Sequence, residues 1–79
     1  MRILDDEANR KLDNVSIFLT KEEAIQLRSY LDQLLSNPEL QHLHLSSADY
    51  QKEVTVSIYN ENNLSGFNER VKNLILNDE

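Results

Sequence analysis

His42 and His44 are the only histidines in this 79-residue chain, and they stand two apart in the alternating run Gln41-His42-Leu43-His44-Leu45-Ser46. On a strand, residues i and i+2 project from one face, so both imidazoles share a side. Two imidazoles on one face are half of a metal site, or a pair that titrates near neutral pH. Zinc takes three or four protein ligands, and Asp49 and Glu53 are close in sequence without any pattern that makes them converge. The competing reading is a structural pair packed near aromatic residues, and no metal or cofactor is assigned.

Other constellations point away from catalysis. Ser46, Ser47 and Asp49 follow His44, but a linear stretch does not supply the converging nucleophile, base and orienting group of a triad. Serines before an aspartate are ordinary turn chemistry. The carboxylate pair Glu22-Glu23 is explained by helix capping, and Asp5-Asp6 reads as a solvated tail or turn. The single glycine, Gly66, cannot build a phosphate loop or a dinucleotide fingerprint. A chain of this length also has little room for a substrate pocket of a few hundred Å³. The expectation is a protein that is not an enzyme.

Composition narrows the field further. The net charge is −6, from 14 acidic and 8 basic side chains. Nucleic-acid binding draws much of its affinity from Lys and Arg that displace counterions, so neither nucleic acid nor an anionic membrane is expected as a partner. The acidity serves solubility, or complements a basic partner. No cysteine is present, which removes disulfides and thiolate metal sites and fits a reducing, cytoplasmic setting. Met1-Arg2-Ile3-Leu4-Asp5-Asp6-Glu7 lacks the apolar run of about 7–15 residues of a secretory signal. Uninterrupted apolar runs reach three residues, as in Leu74-Ile75-Leu76, far below the roughly 18 that span a bilayer. One domain, residues 1–79, is expected, with a thin core, because a chain this small buries only about 60% of its unfolded surface.

The elements that position these residues follow from patterning. Residues 2–6 and 14–19 are expected to form a hairpin, with Val15, Ile17 and Leu19 alternating with Ser16, Phe18 and Thr20; a frayed end at Arg2-Ile3-Leu4 is the alternative for the short first arm. Thr20-Lys21-Glu22-Glu23 is a capping box. Behind it Ala24, Leu27, Leu31, Leu34 and Leu35 trace one helical stripe over 21–36, and Asn37-Pro38 ends the helix. Residues 41–46 and 53–59 form a second hairpin around the turn 47–52, and Val54-Thr55-Val56-Ser57-Ile58-Tyr59 has strong strand character. After a polar loop, Ser65 is expected to cap a last helix carrying Phe67, Val71, Leu74 and Ile75.

The order is ββαββα. The expected architecture is an α+β two-layer sandwich, one antiparallel sheet with both helices on one face. Val15, Ile17, Leu19, Leu43, Leu45, Val54, Val56 and Ile58 would face the helices. The other face would carry Phe18, His42, His44, Thr55, Ser57 and Tyr59. Aromatic anchors among hydroxyls and imidazoles suit a protein-binding patch, for a partner or for a second copy of the chain. Coverage of that patch by the N-terminal arm or by the 47–53 turn with Tyr50 is the alternative.

Leu19-Thr20-Lys21-Glu22-Glu23-Ala24, the leucine-rich helix ending Ser36-Asn37-Pro38-Glu39, then His42-Leu43-His44-Leu45, Asp49-Tyr50 and the Val-Thr-Val-Ser-Ile-Tyr strand carry a resemblance. Over residues 15–60 the chain resembles a group of small uncharacterised bacterial and phage-type proteins. It is similar to one of the small immunity-protein families of polymorphic toxin systems. The resemblance implies an inhibitor that binds and blocks a toxin and has no active site of its own. Acidic charge suits an inhibitor of a basic nuclease. The expected function is thus a non-catalytic protein-interaction domain of inhibitor or immunity type. The alternatives are a homodimeric structural protein, or a small metal- or pH-responsive protein using the histidine pair.

Overall fold

The chain folds as ββαββα, an α+β arrangement, but its four strands form two separate hairpins rather than one sheet. The computed structural model describes residues 1–79, the side chain at position 38 excepted. The elements are β1 (Ile3–Asp5), β2 (Arg10–Leu12), α1 (Lys21–Ser36), β3 (His42–Ser46), β4 (Glu53–Ser57) and α2 (Glu69–Asn77), with a single 3-10 turn at Pro38–Leu40. Contacts divide the chain into two compact units. One comprises residues 1–17 and 60–79, the other residues 18–59. The expected single four-stranded sheet is therefore replaced by one two-stranded sheet in each unit.

In the first unit, the hairpin closes earlier than alternation suggested. The Asp5 carboxylate accepts from the amides of Glu7 (3.1 Å) and Ala8 (3.2 Å), and Asn9 adopts a left-handed φ of 53°. Aspartate and asparagine are suited to both tasks, so the turn is complete by residue 9. Arg10–Leu12 then pair with Ile3–Asp5 in the register Ile3↔Leu12, Leu4↔Lys11, Asp5↔Arg10. The 14–19 strand is not formed. Residues 14–20 run without regular structure, and Val15, Ile17 and Leu19, expected to face a helix, are exposed. Alternating apolar residues make a strand only where a neighbour supplies the ladder, and here β2 has taken the place beside β1.

α2 starts later than expected. Ser65 is already engaged with the Asn63 side chain, which accepts from its hydroxyl at 2.8 Å and its amide at 3.3 Å. The helix is capped instead by Asn68, whose Oδ1 accepts from the Val71 amide at 2.9 Å. Leu74 and Ile75 are buried on it. Two of its C-terminal carbonyls find partners: Arg2 Nε donates to Leu74 O (3.0 Å) and Ile75 O (3.3 Å), and the Asp78 amide also donates to Leu74 O. Such donors complete the last turn of a helix. Lys11 bridges Asp13 (3.0 Å) and Asp78 (3.9 Å), and the hydrogen bond it donates to Asp13 chiefly raises its pKa above the ordinary lysine value.

In the second unit, α1 begins as the sequence dictates. Thr20 Oγ1 accepts from the Glu23 amide at 3.1 Å, and Glu23 Oε1 accepts from the Thr20 amide at 2.9 Å. This reciprocal cap contributes about 1 kcal/mol. The helix lies against β3. Its covered side is Glu23, Leu27, Tyr30 and Leu34, with Leu34 only 3% exposed. The expected stripe was Ala24, Leu27, Leu31, Leu34 and Leu35. At 100° per residue, Ala24, Leu31 and Leu35 fall within about 40° of one another, to one side of the covered face. All three are exposed, Leu35 at 71%. The apolar arc of α1 is wider than the surface β3 offers it. The helix ends at Asn37, whose side chain caps the 3-10 turn through the Glu39 amide (3.3 Å), and Gln41 reverses the chain with a φ of 63°.

Candidate functional site

β3 and β4 pair antiparallel in the register His42↔Ser57, Leu43↔Val56, His44↔Thr55, Leu45↔Val54 and Ser46↔Glu53. One face carries Leu43, Leu45, Val54 and Val56, with Leu45 at 4% exposure and the others half-buried, the side the sequence assigned to the core. The opposite face presents His42, His44, Thr55 and Ser57 to solvent, as expected, and adds Glu53. Ile58 lies beyond the end of β4 and is exposed, so it does not belong to the core face.

The turn that fixes this register is built from its own side chains. Ser47 Oγ donates to Asp49 Oδ1 and accepts from the Lys52 amide at 3.1 Å, and Asp49 also accepts from the Gln51 amide at 3.1 Å. These bonds, that from Ser47 first, lower the Asp49 pKa below the ordinary aspartate value. Ser47 and Asp49 thus do turn chemistry, while His44 faces elsewhere. Tyr50 occupies the turn at φ 58°, with its ring in solvent.

On the outer face, His44 Nδ1 lies 2.6 Å from Glu53 Oε1 and 2.9 Å from Thr55 Oγ1. An ionised carboxylate only accepts, so Nδ1 carries a proton in either charge state of the ring. The Nε2 of His44 is thereby the nitrogen with a lone pair when the ring is neutral. The His42 ring meets His44 edge to face, with centroids 5.1 Å apart and planes at 77°. Glu53 is close in sequence to the histidines, and sequence proximity alone does not make it converge on them. The hairpin register does, since it sets Glu53 diagonally across from His44. Among the described residues, no three histidine, aspartate or glutamate side chains come together as a complete metal-binding set.

Two expected members of this face are placed differently. Phe18 lies on no strand; it sits in the extended approach to α1, two residues before the Thr20 cap, and is 91% exposed. Tyr59 lies two residues beyond β4 and is half-buried. The aromatic residues and the histidine pair therefore do not form one sheet-face patch. The second unit instead presents an exposed apolar set on and before α1, and a polar imidazole–carboxylate cluster on the outer face of β3–β4. No helix of the structure is long and apolar enough to cross a membrane. Compared with known protein families, curated proteins and solved structures, the chain matched none.

Proposed function

We propose that the chain is a non-catalytic protein-binding module of inhibitor or immunity type, and that it contacts its partner through α1 and the segment leading into it. The observation that carries this reading is the exposure of Phe18 and Leu35, at 91% and 71%, beside the cap and along the ridge of a helix whose apolar arc is only half covered. Single exposed apolar residues are normal on any surface, whereas a ridge of Ala24, Leu31 and Leu35 on one helix side is the pattern of a helix face that docks. The similarity of residues 15–60 to immunity proteins falls on the same segment.

The partner is a basic protein surface. Three basic and six acidic side chains fall in residues 18–59, five and eight in the remainder. Acidity spread this evenly speeds encounter with a basic partner without selecting a face. The apolar ridge selects the face. Affinity capture with the wild-type chain beside a Phe18→Ser, Leu35→Ser variant tests this, with molar mass by light scattering on each. A stoichiometric basic protein held by the wild type and lost by the variant supports the reading. A partner retained by the variant overturns the assigned surface. A wild-type dimer that the variant converts to monomer replaces the partner by a second copy of the chain.

A further inference from the structure

We propose that His42 and His44 chelate a divalent transition-metal ion of the zinc, nickel and copper group, with Glu53 as the residue that orients His44. The site is separate from the α1 surface and does not depend on it.

The strand geometry brings the two rings together. With metal–nitrogen bonds of about 2.0–2.1 Å and a ring centre about 1.1 Å behind each nitrogen, two imidazoles on one ion at angles of roughly 90–109° stand about 4.5–5.2 Å apart. The rings of His42 and His44 are 5.1 Å apart, inside that span. Both side chains are exposed; His44 is held by Glu53 and Thr55, and His42 is the ring left to turn about its χ2 toward a shared ion.

Packing alone accounts for two rings meeting edge to face. It does not account for the carboxylate on His44 Nδ1 at 2.6 Å. In metal sites, a ligating histidine gives its second N–H to a carboxylate, which fixes the tautomer, aims the other nitrogen and raises its basicity. Glu53 stands in that position, with Thr55 Oγ1 beside it at 2.9 Å. Nε2 of His44 is left as the donor nitrogen. Imidazole nitrogens favour copper, nickel and zinc over magnesium and calcium, which take oxygen ligands. Two protein ligands leave the remaining coordination positions to water, so the site is open and weaker than a closed four-ligand centre.

Titration of the full chain with zinc chloride, and separately with nickel chloride, followed by the imidazole ring NMR signals and by calorimetry, tests the site. One ion per chain is expected, with shifts concentrated at residues 42–44 and 53–57. His42→Ala and His44→Ala should each weaken binding at least tenfold. Glu53→Gln should weaken it about 10- to 100-fold while keeping the one-to-one stoichiometry, as loss of an orienting carboxylate does. Far-UV circular dichroism of each variant reports that the hairpin is intact. Magnesium chloride at the same concentration should leave the ring signals unmoved. Ring signals indifferent to both metals, or binding undiminished in the double histidine variant, would overturn the proposal. One ion per two chains with a doubled molar mass would also overturn it, in favour of a site shared between copies.

Discussion

Leu34 and Leu35 are neighbours in α1, and the structure assigns them opposite fates. Leu34 is 3% exposed and Leu35 71%. Full burial of a leucine side chain stabilises by about 1.5–3 kcal/mol. Scaled by exposure, Leu34→Ala forfeits nearly all of that and leaves a cavity besides, for a cost of about 3 kcal/mol. Leu35→Ala forfeits less than a third, and alanine's higher helix propensity offsets a little, which leaves about 0.5 kcal/mol. Urea unfolding followed by circular dichroism reads both. At a slope of about 1 kcal/mol per molar, at the low end for small proteins, the midpoints should fall by about 3 M and about 0.5 M. A chain of this length has about 4–12 kcal/mol in total, so the first variant is severely weakened and the second is nearly wild type. Equal losses, or a loss above about 1.5 kcal/mol for Leu35→Ala, would refute the assignment of the covered helix face. If the Leu35→Ala loss grew with protein concentration, the ridge would be covered by a second copy.

Thr20→Ala removes half of the reciprocal cap and should cost about 1 kcal/mol in the same assay, whereas Thr20→Ser should cost almost nothing. Asp49 has its folded pKa lowered, chiefly by the Ser47 hydroxyl. Its stabilisation is therefore present above the ordinary aspartate value of 3.8 and is lost as pH falls through the lower folded value. Thermal melts between neutral pH and pH 3 should show Asp49→Asn less sensitive to acid than the wild type, and equal acid sensitivity would contradict this. Tyr50 pays for a left-handed backbone with its ring exposed, so Tyr50→Asn should raise stability by about 0.5 kcal/mol. A fall instead would mean that the ring is packed in solution.

Much of the second unit was legible because its signals are local and chemically specific. The Thr20–Glu23 box and Asn37-Pro38 bracket α1, and the Ser47–Lys52 turn brackets two alternating strands. The length of that turn also determined the site. Setting Ser46 opposite Glu53 forces His44 opposite Thr55 and places Glu53 diagonal to His44, so the imidazole–carboxylate contact follows from the turn's length. What was misread depended on competition between signals. Val15 to Leu19 has the stronger strand pattern, yet Arg10–Leu12 pairs with β1, because Asp5 and Asn9 close the chain before the apolar alternation begins. Ser65 and Asn68 are both good caps, and only the prior bonds of Ser65 to Asn63 decide between them. The four leucines, the isoleucine and the alanine of α1 span more than one side of the helix, so periodicity marked Leu27 and Leu34 correctly but did not reveal that Tyr30 would join them and that Ala24, Leu31 and Leu35 would be left out. The division into two hairpins rests on which strands meet, a long-range matter that residue patterns do not encode.

The segment before α1 has a colloidal consequence. Val15-Ser16-Ile17-Phe18-Leu19-Thr20 is six residues long, free of charge and proline, rich in β-branched and aromatic side chains, and exposed without a ladder partner. That is the composition of a steric-zipper segment, on display in the native state rather than hidden until unfolding. Asp13 on one side and Lys21, Glu22 and Glu23 on the other bracket it as gatekeepers. The net charge of −6 holds copies apart through a repulsion that fades within about 10 Å at 0.1 M salt. Solutions of this chain should therefore keep best at low ionic strength and well above its isoelectric point near 4.8, and the first fibrils or precipitate should grow from this stretch when either condition is relaxed.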